Sequence, residues 1–167
     1  MKRLESVKEL KQLHDTLTAG PQSVGTPKRQ ILLCAGGGCI ASGSLQVAKA
    51  LREAITSAGL DVPVIETGCL GPCAGGPVLV VQPDGVYYQH VNPTDVTEIV
   101  SAHLVGNRVV ERLASKSTAT GEIVPLMKDL EYFRKQVKIV LRNCGLIDPL
   151  QIHDYVARDG YLGLAKA

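Results

Sequence analysis

Long apolar runs are missing from this 167-residue chain. No stretch approaches the roughly 20 uninterrupted apolar residues of a membrane-crossing helix, and the opening Met1-Lys-Arg-Leu-Glu-Ser6 lacks the apolar core of a secretory leader. A cytoplasmic protein without direct membrane insertion is the expectation. No Gly-x-Gly-x-x-Gly follows a strand pattern and no Gly-Lys-Ser/Thr occurs, so no nucleotide-phosphate cradle is encoded. Repeats and low-complexity tracts are absent as well. Basic charge is scarce where it would matter for nucleic acid. Residues 30–105 carry two basic and six acidic groups, whereas residues 1–29 carry six and three and residues 106–167 ten and seven. An acidic middle is a poor binder of phosphate backbones, so nucleic acid is excluded as partner and the basic flanks are expected to meet protein.

What is present is enough for one real core, with 45% hydrophobic residues. Leu4, Val7, Leu10, Leu13 and Leu17 recur at helical steps, which predicts an amphipathic helix docked on its own domain or on a partner subunit. The Gly- and Pro-bearing stretch 20–27 reads as a linker. From Gln30 the pattern is strand, cysteine loop, helix, strand, cysteine loop, strand, turn, strand, helix. Val47, Leu51, Ile55 and Ala58 share a helical face, with Ser42 or Ser44 expected as cap and Gly59 as stop. Residues 78–82 and 86–91 read as a hairpin turning at Asp84-Gly85, and Asn92-Pro93 with Asp95 reads as a capped helix start. Tyr87 and Tyr88, adjacent on that hairpin, are expected to be one core and one surface residue.

This order predicts an α/β fold: a thioredoxin-like sandwich with an N-terminal helix and a partly helical C-terminal extension. The divisions expected are 1–29, helix and linker; 30–106, the sandwich; and 107–167, the extension. Within the extension Asp148-Pro149 is expected to start a helix, and the aliphatic run 139–143 fits strand or helix equally. The Gly76–Pro77 bond is expected to be cis. His14, His90, His103 and His153 are scattered without ligand spacing and are expected at the surface or its boundary.

The chemistry lies in the cysteines. Four of the five fall in two glycine loops, Cys34-Ala-Gly-Gly-Gly-Cys39 and Cys69-Leu-Gly-Pro-Cys73, each placed after a strand pattern. Reduced cytosolic thiols in such clusters are metal ligands or redox groups more often than disulfides. Four thiolates are the ligand set of a [2Fe–2S] cluster, whose net negative charge needs backbone N–H donors. Glycines let the backbone approach closely enough to supply them, and the first loop is expected to run straight into a helix N-terminus. Other readings stay open on spacing alone: a structural zinc, which usually spaces its cysteines more closely, a thiol–disulfide oxidoreductase, which wants Cys-x-x-Cys, or buried cysteines with no ligand. Cys144 stands alone after the aliphatic run and is expected simply to be buried. Glu66, near the second loop, is expected to be a solvated carboxylate.

The spacing Cys-x4-Cys…Cys-x3-Cys, with Thr67-Gly-Cys-Leu-Gly-Pro-Cys73 and the hairpin after it, resembles the thioredoxin-like [2Fe–2S] ferredoxins. The resemblance implies Cys34, Cys39, Cys69 and Cys73 as cluster ligands and one-electron transfer as function. Residues 136–149 and 155–161 are similar to the lead-in of the flavin- and NADH-binding subunit of NADH dehydrogenases, NAD-linked or electron-bifurcating hydrogenases and formate dehydrogenases. That implies a place in a hetero-oligomer with flavin-bearing and other iron–sulfur subunits. FMN and NAD(H) would bind only in a missing downstream part or a partner subunit, so the chain is expected to be a fragment or a split subunit that is not catalytic alone. The competing function is a non-redox docking module with a structural metal.

Overall fold

The computed structural model describes residues 3–19 and 29–167, so the expected linker at 20–27 lies outside the described residues. The chain forms two compact units, Pro27–Gly145 and Met1–Thr26 with Leu146–Ala167.

The larger unit is built on four strands, β1 (Gln30–Cys34), β2 (Val64–Thr67), β3 (Leu79–Gln82) and β4 (Val86–Tyr88), in the order β2-β1-β3-β4. β1 runs parallel to β2 and antiparallel to β3, and β3 pairs antiparallel with β4. A parallel strand–helix–strand half joined to an antiparallel hairpin half is the thioredoxin-like α/β sandwich that the sequence predicts. Strand alternation then sorts the side chains. Ile31, Leu33, Leu79, Val81, Val86 and Tyr88 face one way, onto Val47, Leu51 and Ile55 of α3 (Ser44–Ser57) and onto Val96, Ile99 and Leu104 of a helical segment at 93–105. Truncating any fully buried leucine of this layer to alanine costs about 2–5 kcal/mol.

The opposite set, Leu32, Cys34, Val78, Val80 and Tyr87, faces a second layer that contains Cys39, Leu70 and Leu130. Both neighbouring tyrosines are therefore buried, at 1% and 0% exposure, which corrects the expectation of one core and one surface residue. The cover on the second face comes from residues 124–133, beyond the hairpin. That segment and the 111–113 turn together protect the outer edge of β4: the Tyr87 N–H donates to the Pro125 carbonyl at 2.8 Å, and the Gln89 N–H to that of Leu113 at 2.9 Å. An exposed strand edge is thereby removed. Two short strands, β5 (Ser115–Lys116) and β6 (Ile123–Val124), pair antiparallel within this cover.

Helix ends follow the sequence in part. The 93–105 segment opens with a reciprocal box in which the Asn92 N–H donates to Asp95 Oδ2 at 2.7 Å, passes through α4 (Val96–Glu98), and ends in a π-helical turn at Ile99–Val105. α3 is capped differently from expectation: its N-cap is Gly43, left-handed at φ +98°, and neither Ser42 nor Ser44 serves. Ser42 instead closes the short α2 (Gly37–Ala41), donating to the Gly38 carbonyl. Gly59 at φ +65° ends α3, and Gly76–Pro77 is cis, both as predicted; Gln82–Pro83 is cis too. Residues 139–143 are neither strand nor helix but turns, with Ile139 and Val140 exposed, because few side chains are there to cover them.

In the smaller unit α1 (Val7–Thr18) is capped by Ser6, whose Oγ accepts from the Glu9 N–H, and packs on α5 (Ile152–Ala157). That helix begins later than Asp148-Pro149, because the Asp148 carboxylate is engaged by the Leu150 N–H in a turn of its own. Among the described residues no helix is long and apolar enough to cross a membrane.

Candidate metal centre

Each cysteine loop leaves the C-terminal end of one of the two parallel strands. Cys34 is the last residue of β1 and pairs with Thr67, the last of β2, so Cys69 follows two residues beyond its neighbour strand. The Ala35 N–H donates to the Thr67 carbonyl and the Cys34 N–H to that of Val78, which fixes the first loop between the second loop and β3.

Three glycines bring the loops into contact. A Cβ on Gly36 would lie 3.1 Å from the Cys69 Cβ and 3.5 Å from its Sγ, one on Gly38 would lie 3.5 Å from Cys73 Sγ, and one on Gly76 would lie 3.1 Å from Cys39 Sγ. The first loop thus abuts both cysteines of the second, and the second abuts Cys39. Gly36 and Gly76 have ordinary extended backbones (φ −69° and −66°), so glycine serves there for room rather than for conformation. Gly71, at φ +120°, serves for both: the Tyr132 ring lies directly on it.

The thiols lie within electrostatic reach of one another across the two loops: Cys34 and Cys73 each raise both the Cys39 and the Cys69 thiol. Among the described residues no three His, Cys, Asp or Glu side chains crowd one point as a single ion would need. Burial, and next the Cys34 thiol, pushes the Cys39 thiol up to about 11, against a hydrogen bond from the Val78 N–H. Burial likewise raises Cys69, against the Gly71 N–H. Both backbone donors are of the kind that stabilises a metal-bound thiolate. The exposure is graded: Cys34 and Cys39 are 1% exposed, Cys69 is half-buried and Cys73 is open.

Several expectations for the surroundings are altered. The helix that the first loop enters is only five residues long and contains Cys39, because Gly43 breaks it from α3; its macrodipole is accordingly short. Glu66 is not free in solvent but paired with Arg52 at 2.7 Å. Cys144 is half-buried rather than buried, its Sγ packed on Gly68, while the Gly145 N–H donates to Thr67 Oγ1 at 2.9 Å. His103 is buried rather than superficial, held between the Tyr88 hydroxyl at 2.9 Å and Asp84 at 3.1 Å. The other three histidines are not brought to the cysteines.

Sequence reasoning missed the roof of the site. Tyr87 stands in the same buried layer as Cys34 and Cys39, with Phe133 edge-on to it at 5.7 Å and Tyr132 edge-on to Phe133 at 5.0 Å. Burial, followed by the nearby Cys39 and Cys34, holds the Tyr87 hydroxyl far above its ordinary pKa. No local pattern signals this roof, since it pairs a hairpin residue with residues more than forty positions on.

Comparison with known proteins bears on the same region. The profile of the thioredoxin-like [2Fe–2S] ferredoxin family matches residues 22–104. The [2Fe–2S] ferredoxin of Clostridium pasteurianum is 37% identical over 97 residues, which cover 52% of this chain and 95% of that protein. The chain belongs to this family. The Aquifex aeolicus [2Fe–2S] ferredoxin is 45% identical over 80 residues, 46% of this chain and 72% of that one. The wild-type crystal structure of a thioredoxin-like [2Fe–2S] ferredoxin from Aquifex aeolicus aligns at a TM-score of 0.48 with 38% identity, covering 51% of this chain and 93% of that one. A shorter match, 61% identical over 33 residues, is to the NADP-reducing hydrogenase subunit HndC of Solidesulfovibrio fructosivorans, covering 20% of this chain and 7% of that subunit. As a thioredoxin-like ferredoxin the chain has a [2Fe–2S] cluster as its cofactor and electron transfer as its role.

Proposed function

We propose that Cys34, Cys39, Cys69 and Cys73 hold the cluster, and that this chain relays single electrons within a multi-subunit NAD(P)H-linked oxidoreductase of the hydrogenase or NADH dehydrogenase type. The observation that carries the ligand assignment is the contact of the two glycine loops, in which Gly36 and Gly38 abut Cys69 and Cys73 and Gly76 abuts Cys39. The likeness to a subunit of an NADP-reducing hydrogenase supports the complex. In this reading residues 1–29 are a docking helix and linker, 30–106 the ferredoxin domain, and 107–167 an extension toward a flavin-bearing part. FMN and NAD(H) bind there or in a partner, alongside other iron–sulfur subunits, and the whole works in the cytoplasm.

When bound, the cluster supplies one-electron oxidation and reduction with no bond made to a substrate. The chain's own residues do the rest. Cys34 and Cys39 grip from the dry side, within the layer of Leu32, Val78 and Leu70, which excludes water. Val78 and Gly71 aim N–H groups at Cys39 and Cys69 and offset their negative charge. Cys69 and Cys73 grip from the open side, where another redox centre can approach.

Anaerobically purified protein is expected to hold about two irons per chain and to give a spin-half EPR signal after dithionite. Zinc without iron would overturn the assignment. For the complex, NADPH is expected to bleach the visible spectrum only after a flavin-bearing subunit is added; bleaching by NADPH with this chain alone would refute that part.

A further inference from the structure

The Tyr87 hydroxyl is the anomaly of the cysteine layer. Its side chain is 1% exposed, and its oxygen is fully buried without a hydrogen-bond partner among the described residues. Its neighbours in that layer are Leu32, Val78, Val80 and Leu130, with the Phe133 ring edge-on, and none of their side chains carries a nitrogen or oxygen acceptor. A buried hydroxyl left unpaired costs about 1–3 kcal/mol, so a position that keeps one calls for an acceptor. A phenylalanine would fill the same space at no such cost.

The acceptors that share the layer are sulfurs. Cys34 and Cys39 lie in it with Tyr87, and register puts Tyr87 and Cys34 on one face of the sheet: Tyr87 pairs with Val80, Val80 with Leu32, and Cys34 lies two residues along β1. We propose that the Tyr87 hydroxyl donates a hydrogen bond to a sulfur of the [2Fe–2S] centre held by the four cysteines, and thereby holds its reduction potential up; this rests on the ligand set proposed above. The sign follows from charge. Reduction makes the centre more negative, so a donor aimed at its sulfur stabilises the reduced form more than the oxidised one. Tyr87 is thus a positioning and tuning residue, placed by β4 and walled in by residues 124–133, a segment that lies outside the 22–104 family match.

The test is Tyr87→Phe in the full chain, with iron content, EPR and reduction potential measured beside wild type. The expected result is wild-type iron content with a lower potential, by about a tenfold change in the ratio of reduced to oxidised protein, or about 59 mV for one electron. Pulsed electron–nuclear double resonance on the reduced wild type should also show an exchangeable proton coupled to the centre, lost in the variant. An unchanged potential at full iron content overturns the hydrogen bond and leaves the ligand set standing; a wild-type chain with no iron overturns the ligand set itself. Should Tyr87→Phe lose its iron, Tyr87→3-fluorotyrosine carries the question, because its more acidic hydroxyl donates more strongly. A raised potential then supports the bond and an unchanged one refutes it.

Discussion

Gly76→Ala tests whether the cysteine loops are held together by the absence of side chains. Gly76 has φ −66° and ψ 153°, a backbone that alanine adopts freely, so no conformational strain enters. The added methyl would sit 3.1 Å from the buried Cys39 Sγ and 3.1 Å from the Cys73 carbonyl oxygen, one contact on each cysteine pair. Neither can swing aside, because Cys39 lies in α2 at 1% exposure and the Cys73 carbonyl already accepts the Gly76 N–H at 3.0 Å. Overpacking of this kind costs about 1–3 kcal/mol, while the stiffer unfolded chain returns about 0.4–1 kcal/mol. The net expectation is about 1–2 kcal/mol against the loaded fold, or a fall in Tm of roughly 2–8 °C for a chain of this length. Gly36→Ala, whose methyl would meet the Cys69 backbone at 3.3 Å, should behave alike. Gly37→Ala is the control: nothing lies within 4 Å of its Cβ, and it is the first residue of α2, so it should be neutral or slightly stabilising. The assay is thermal melting of iron-loaded protein, together with the rate at which an anaerobic ferrous chelator bleaches it. If Gly76→Ala melts and bleaches like Gly37→Ala, the loops are not sterically set and the reasoning fails.

Three further outcomes are expected. Cys39→Ala should lose the visible cluster spectrum while Cys144→Ala keeps it, and loss in the second variant would mean that the ligand set is misassigned. His103 is held below its ordinary pKa by burial, against the pull of Asp84; its folded pKa is therefore the lower one, and the stability it contributes is full above about 6.5 and drains away as pH falls through the histidine range. Urea unfolding at pH 7.5 and 5.5 should show this slope, and a slope undiminished in His103→Gln would refute it. Asp95→Ala removes an acceptor of the Asn92 N–H and a partner of Arg112, and should cost about 1–2 kcal/mol; a Tm within a degree of wild type would show the box to be ornamental.

The sheet and both cysteine loops were legible because their signals are local. Alternation marks the strands, Asp84-Gly85 the turn, Asn92-Pro93 with Asp95 the helix start, and glycine with cysteine the loops. What escaped depends on residues far apart in the chain. Tyr87 is buried because Leu130 and Phe133 return to cover it, and His103 because the Tyr88 hydroxyl and the Asp84 carboxylate give its two ring nitrogens a donor and an acceptor. The helical turn at Gly37–Ala41 was local yet still missed, since three consecutive glycines read as loop and Ser42 or Ser44 reads as the cap that Gly43 supplies.

On the proposed ligand set, the graded exposure of the four thiols gives the relay a front and a back. Tunnelling rates fall steeply with distance, and Cys34 and Cys39 have protein packed against them while Cys73 reaches the surface. If these four thiols hold the cluster as proposed, a donor and an acceptor that both approach by the shortest path would share one doorstep, or take turns at it. Traffic through the Cys73 face would be sequential, with the partner that delivers the electron leaving before the one that collects it arrives.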